Sequence, residues 1–368
     1  MTPYRSLYVH VPFCRGGKCA YCAFYSEGHS TPEMRSSYLA HIQEEFRRNG
    51  HLCAPLRSIF IGGGTPGALE EQELKTLLSS IRENFILEPD CEWSMEANPD
   101  SITESCIAIA AEAGVNRISF GVQSFNGELR RRIGRHASPE RLESLADACR
   151  TSGIKRMNLD LIYGIPGEKP EEWEADMRQA LALHPAHLSC YSLILEPGTP
   201  LAEKYALTLE DEENFLTCWH LCDSVLGEAG MRRYEISNFA APGRECRHNY
   251  EIWHGQTYLG CGPSAVSFDG TDRPANPASL TEWLAGKPRE HDILPPEERR
   301  REIFAFAMRT ADGWTWDELE QMTGIRRSEA EAIAAQVIAQ GLAVSDEYGL
   351  HPTPGGLLCN DDLLAALL

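Results

Sequence analysis

The stretch Tyr8-Val-His-Val-Pro-Phe-Cys14-Arg-Gly-Gly-Lys-Cys19-Ala-Tyr-Cys22-Ala-Phe24 places three cysteines within nine residues, directly after a short apolar run. The apolar run predicts a first strand over 6–11, with the cysteines on the loop at its C-terminal end. Cys thiolates are the usual ligands of iron–sulfur clusters. Three on one loop hold three irons of a cubane and leave the fourth iron open to a substrate or cofactor. Two other readings stand beside this one: free core thiols, since Cys is often buried, and a structural zinc. A closed zinc site wants a fourth Cys or His, and neither His10 nor His29 has a finger-like spacing. Gly16-Gly17 makes a poor core segment and a good loop.

Outward from that loop, strand and helix alternate. Strands are predicted over 6–11, 57–61, 92–95, 117–122, 157–162 and 187–195, and helices over 34–48, 69–85, 101–113, 139–152 and 170–183. Ser101 or Thr103 is the expected N-cap of the third helix. Six such units in about 195 residues argue for a parallel sheet with right-handed crossovers. Each polar or glycine-rich motif follows a strand: Gly62-Gly-Gly-Thr-Pro66, Glu96-Ala-Asn-Pro-Asp100, Gln123-Ser-Phe-Asn126 and Tyr163-Gly-Ile-Pro-Gly167. In a parallel barrel the loops after the strands share one face, which carries the active site. The Cys loop, the Gly loop, Glu96, Gln123, Arg135 and Asp160 should therefore converge. Six units do not complete an eight-stranded barrel, so an open, partial β/α barrel is expected.

A helix over 211–230 puts Cys218 and Cys222 on one face; two core thiols outweigh a metal there. Residues 234–239 read as a strand or extended edge, and 259–268 as irregular backbone. Five prolines within 274–296 mark a linker over 276–296. Beyond it come a helix over 297–309, a helix–turn–helix pair over 315–322 and 327–340, and a hairpin over 342–352. That order suggests a mainly helical, winged-helix-like C-terminal domain over 297–368, with 1–275 as the barrel and its extension. From residue 285 onward eight Lys/Arg face fifteen Asp/Glu, a balance of −7, which opposes phosphate contact. A lid or docking role suits this domain better than nucleic-acid binding.

The whole chain carries a formal charge of −20, which also argues against nucleic acid as a partner. A hydrophobic fraction of 42% and a negative mean hydropathy fit a soluble globular protein. No apolar run approaches the roughly 18 residues of a membrane span, and no signal-peptide core is seen. Thirteen cysteines, an odd number and mostly scattered, fit a reducing compartment, and the cytoplasm is the expected location.

The ordered set Pro12-Phe-Cys with Cys19-x-x-Cys22, Gly62-Gly-Gly-Thr-Pro66, Glu96-Ala-Asn-Pro, Gly121-Val-Gln-Ser-Phe-Asn126, Gly134-Arg135, Asn158-Leu-Asp-Leu-Ile-Tyr-Gly164 and Arg247-His-Asn249 resembles radical S-adenosylmethionine (radical SAM) enzymes of the oxygen-independent coproporphyrinogen oxidase type. Within that type it looks most like the HemW branch of heme chaperones. The resemblance spans essentially the whole chain. It implies that Cys14, Cys19 and Cys22 ligate a [4Fe–4S] cluster whose open iron chelates S-adenosylmethionine. It implies further that Gly63, Gly64, Thr65, Glu96, Gln123, Arg135 and Asp160 hold that ligand, with Tyr8 and Tyr21 packed beside ligand and cluster. Heme is the implied cargo and heme-accepting apo-proteins the partners, with peripheral membrane association only through them.

This sequence departs from the family pattern in two places. The family's first cysteine gap is three residues; here 15–18 make four, an excess that Gly16-Gly17 is suited to absorb. The oxidase has a further cysteine where Phe24 stands, and the Cys22-Ala-Phe24 ending matches the chaperones. Their His-Asn-x-x-Tyr-Trp signature, linked to heme, reads His248-Asn-Tyr-Glu-Ile252-Trp253 here. His248 is thus a candidate heme contact, against the alternative of an Arg247/His248 pair structuring a loop over the barrel mouth. The competing functions are a coproporphyrinogen III oxidase of porphyrin biosynthesis, a radical enzyme on another substrate, and a zinc-bound or metal-free docking protein.

Overall fold

A computed structural model describes residues 3–368; residues 1–2 of the expected first domain lie outside the described residues. Strands and helices alternate from the start: β1 Tyr4–Val11, α1 Pro32–Asn49, β2 Cys53–Gly63, α2 Glu71–Asn84, β3 Leu87–Ala97, α3 Glu104–Ala113, β4 Arg117–Gln123, α4 Gly127–Arg132, α5 Pro139–Thr151, β5 Arg156–Tyr163, α6 Pro170–Ala182 and β6 His187–Ser192. The six expected strands are present, though β2 and β3 start four and five residues earlier and end two later, and β6 stops at Ser192 rather than 195. Thr103, not Ser101, caps α3, its side chain accepting from the Cys106 amide; such a cap satisfies a donor the first turn cannot.

The chain continues through α7 Pro200–Lys204, α8 Leu209–Glu228, β7 Arg232–Arg233, β8 Asn238–Ala240, α9 Arg247–Trp253, β9 Tyr258–Cys261 and α10 Leu280–Leu284. All join one nine-stranded sheet in the order β7-β8-β6-β5-β4-β3-β2-β1-β9. Strands β1 to β6 and β9 run parallel, while β8 and β7 turn antiparallel at the far edge. The end strands β7 and β9 do not pair, so the sheet stays open, as expected. Strand β9 corrects the reading of 259–268 as irregular. Its four residues include two small ones, and the strand it pairs with is β1, at the far end of the sequence; Tyr258 also bridges Phe268.

Alternate residues of a strand face opposite ways. Leu7, Val9 and Val11 point outward to the helices and join one large core with Ile59, Ile61, Met95, Ile118 and Leu159. The residues between them face the concave side, and there polar groups dominate: Ser6, Ser58, Glu92, Arg117, Asn158 and His187 are all buried.

The stretch 276–296 is not an open tether. Asn276 Nδ2 donates to Glu45 Oε1 at 2.9 Å, and Leu280 and Trp283 of α10 are buried in the main core. The prolines there mark turns within a packed segment. Past it lie α11 Pro296–Ala307, β10 Trp314–Thr315, α12 Trp316–Thr323, α13 Arg327–Ile333, α14 Ala335–Ala339, β11 Ala343–Ser345, β12 Gly349–Pro352, α15 Pro354–Leu358 and α16 Asn360–Leu367. A separate core around Phe304, Trp314, Leu319 and Leu363 holds them, and β10-β12-β11 form the small antiparallel wing. The helix expected over 327–340 is two pieces broken at Ala334. No described helix is long and apolar enough to cross a membrane.

Candidate functional site

A cavity of about 450 Å³ opens at the C-terminal ends of the parallel strands. Of the residues singled out in the sequence, Tyr21, Cys22, Gly63, Gly64, Thr65, Glu96, Gln123, Arg135 and Asp160 line it. They come from four strands and three loops spread over some 140 residues of chain, so the convergence expected from the alternation is met.

The glycine loop is sewn to the cysteine loop. The amides of Gly64 and Thr65 donate to the carbonyls of Val11 and Phe13, each at 2.8 Å. A Cβ on Gly64 would lie 2.5 Å from the Phe13 carbonyl oxygen. Gly63 sits at φ +105°, and a Cβ there would lie 2.7 Å from the His10 ring. Glycine is therefore required by close packing and by a left-handed backbone. His10, which sequence reasoning passed over, wedges this junction. Its Nδ1 pairs with Tyr8 Oη at 3.0 Å and its Nε2 with the Tyr25 carbonyl at 3.2 Å. Burial pushes His10 down to about 4. Tyr8 itself lies beneath the cavity, stacked on Phe60.

The three cysteines are half-buried and unbridged. Burial raises all three thiols, and Arg135 opposes that rise at each of them. Each thiol also feels the charge of another. A nearby cation favours the thiolate, which is the ligating form. Gly16 and Gly17 adopt φ of +87° and +104° in open space. Glycine enters that region freely. Among the described residues no three His, Cys, Asp or Glu side chains gather tightly enough to hold a single metal ion. A four-iron cube takes one thiolate per iron, whereas a closed tetrahedral zinc takes a fourth donor.

The charged groups of the cavity are arranged unequally. Arg135 Nη2 donates to Tyr21 Oη at 3.3 Å, while its buried Nε and Nη1 have no partner in the protein. Opposite stand two carboxylates. Asp160 accepts from Ser119 Oγ and Asn158 Nδ2, both at 2.7 Å. Glu96 accepts only the Gly63 amide, at 3.2 Å; burial and then the Asp160 charge push it up to about 8. Gln123 holds φ +71°, strained for a side-chain-bearing residue. Gly121 leaves room for it, since a Cβ there would lie 2.8 Å from Gln123 Nε2 and 3.2 Å from Arg135 Nη2.

Sequence reasoning missed Ser119, Tyr191 and Ile194, which also line the cavity. The alternation Arg117-x-Ser119-x-Gly121 puts Ser119 on the Gly121 face and could have found it. Phe24 and Ile194 form an exposed apolar rim, at 74% and 65%.

His248 is not brought to this cavity. It is buried two side-chain positions below Gly62 along β2, with Nδ1 bonded to Ser58 Oγ at 2.9 Å and its ring stacked on Phe60. The amides of Arg247 and His248 donate to Glu92, each at 3.1 Å, and Arg156 pairs with the same carboxylate at 2.9 Å. Helix α9 thereby closes the lower end of the half-barrel. Burial, followed by the Arg117 charge, lowers His248 to about 3.

The sequence model of the radical SAM superfamily matches residues 8–180. The chain is 31% identical to heme chaperone HemW of Bacillus subtilis (strain 168) over 99% of both chains. It is 34% identical to heme chaperone HemW of Mycobacterium tuberculosis over 98% of this chain and 94% of that one. For the heme chaperone HemW of Escherichia coli (strain K12) the figures are 36% identity over 72% and 70%. Among solved structures, coproporphyrinogen III oxidase (HemN) from Escherichia coli matches with a TM-score of 0.85 over 100% of this chain and 90% of that one. At 24% identity that likeness is one of fold. By its length-wide similarity to these relatives, the chain belongs to the HemW heme-chaperone family of the radical SAM superfamily.

Proposed function

We propose that this chain carries a [4Fe–4S] cluster on Cys14, Cys19 and Cys22, binds S-adenosylmethionine in the adjoining cavity, and delivers heme to acceptor proteins in the cytoplasm. The observation that carries the reading is the charge pattern. One guanidinium with two buried unpartnered nitrogens faces the same cavity as two carboxylates. Adenosylmethionine bears a carboxylate, an ammonium and a sulfonium, so each protein group meets its opposite. Arg135 suits the ligand carboxylate; Glu96 and Asp160 suit the ammonium and the ribose hydroxyls. Gly63, Gly64, Thr65 and Gln123 shape the wall, Tyr21 steadies Arg135, and Tyr8 acts through His10. When bound, the cluster supplies one-electron chemistry next to the sulfonium; the protein's part is to orient the ligand and exclude water.

Heme is assigned as cargo, and peripheral contact with a membrane only through acceptor proteins. His248 is not assigned to heme, because its ring is engaged by Ser58 and Phe60. The test is anaerobic reconstitution followed by heme titration and an assay with coproporphyrinogen III. Heme binding without decarboxylation is expected. Decarboxylation without heme binding would replace this reading by the oxidase.

A further inference from the structure

A line of buried hydrogen bonds leads from Asp160 down the concave face of the sheet to the segment that closes its lower end. Asn158 Nδ2 donates to Asp160 Oδ1 at 2.7 Å. Asn158 Oδ1 meets His187 Nδ1 at 2.6 Å. His187 Nε2 meets Tyr234 Oη at 2.8 Å, and the Cys246 amide donates to Tyr234 Oη at 3.2 Å. Asn158 and His187 are buried, as is Tyr234. Cys246 is the residue from which α9 starts.

The polarity of this line is dictated from one end. A carboxylate only accepts, so Asn158 must turn its NH2 toward Asp160. Its carbonyl oxygen then faces His187, whose Nδ1 must carry the proton. The bare Nε2 accepts from the Tyr234 hydroxyl, and the Tyr234 oxygen accepts from the Cys246 amide. Every donor points toward Asp160.

We propose that His187 and Tyr234 are positioning residues for Asp160: they lock the Asn158 amide in the orientation that holds this carboxylate toward the ligand in the cavity. This rests on the reading of the cavity as an adenosylmethionine site. Outer partners that orient a binding group typically change affinity ten- to a hundredfold. The line also explains why a buried polar pair lies so far from the cavity: its only uncovered end is Asp160.

Two measurements test it. In the unloaded protein with 15N-labelled histidine, His187 should show the Nδ1–H tautomer, and Asp160→Ala should release it. A Nε2–H tautomer in the wild type, or an unchanged His187 spectrum in the variant, would overturn the proposal. The second is a cycle of adenosylmethionine affinities on anaerobically reconstituted protein. His187→Phe should lose about tenfold, His187→Asn should recover part of that loss, and His187→Phe added to Asp160→Ala should cost nothing more. A further loss in the Asp160→Ala background would mean a role in the fold alone and overturn the proposal. A wild type that binds no adenosylmethionine overturns the proposed function instead, and the histidine spectrum then decides the positioning claim by itself.

Discussion

Glu96 and Asp160 face one cavity from β3 and β5 but are held differently: Asp160 accepts two side-chain hydrogen bonds at 2.7 Å, whereas Glu96 accepts one amide at 3.2 Å and is pushed up to about 8. Burial and the neighbouring Asp160 charge both disfavour the charged form of Glu96. A cationic ligand between them would reverse that for Glu96.

The first expectation concerns stability against pH. Glu96 holds its proton in the fold up to about pH 8, against a usual carboxyl value of 4.5. Between those values the folded state binds the extra proton, so its contribution falls as pH rises through this window and levels off above it. Compared with Glu96→Gln, the wild type should lose roughly 1–4 kcal/mol between pH 5 and pH 8, read from urea denaturation of the unloaded protein. Parallel curves would contradict the assignment. Adenosylmethionine binding at pH 7 should also release a proton in the wild type and none in the variant.

Arg135 lines the cavity, and two of its buried N–H groups find no partner in the protein. Arg135→Ala should weaken adenosylmethionine binding by roughly 1.5–3 kcal/mol, measured by calorimetry, while the cluster absorbance persists. Loss of the cluster together with the ligand would show that Arg135 serves the cysteine loop first.

Gly64 cannot take a side chain without moving the residue before Cys14, since an added Cβ falls 2.5 Å from the Phe13 oxygen and 2.8 Å from its carbonyl carbon. Gly64→Ala should therefore lower iron and sulfide content as well as ligand affinity. By contrast, Gly153→Ala, at φ +82° but in open space, should cost about 1 kcal/mol of stability and leave both intact. Full cluster content in Gly64→Ala would break the link drawn between the two loops.

His248 packs the closed end. His248→Ala removes a buried ring stacked on Phe60 and one of the two hydrogen bonds of the Ser58 hydroxyl, leaving that with Ser6. A loss of roughly 2–4 kcal/mol in stability is expected, with heme affinity unchanged. Heme binding abolished at unchanged stability would return the residue to the heme site.

The alternation of strands and helices was legible because each strand turns an apolar residue toward the helices at every second position, as Leu7, Val9 and Val11 do, between turn signals. The cavity was legible because each motif follows a strand, and topology alone gathers strand ends. Strand β9 escaped because it is short and glycine-bearing, and its partner strand β1 lies at the far end of the sequence. His10 escaped because its partners are a neighbouring tyrosine and a backbone carbonyl, which no spacing encodes. The role of His248 was misleading for a related reason. A histidine in a polar, aromatic segment looks like a ligand, and only the fold reveals that Ser58 and Phe60 already occupy it.

The most direct test of the central claim, that one half-barrel edge gathers a cysteine-bound cluster and an adenosylmethionine cavity, is the EPR spectrum of the anaerobically reconstituted, reduced protein with and without S-adenosylmethionine. A [4Fe–4S] signal that shifts when the ligand is added, and fails to shift in Arg135→Ala, is the result expected. A cluster signal indifferent to the ligand, or no cluster on protein with intact Cys14, Cys19 and Cys22, would contradict it.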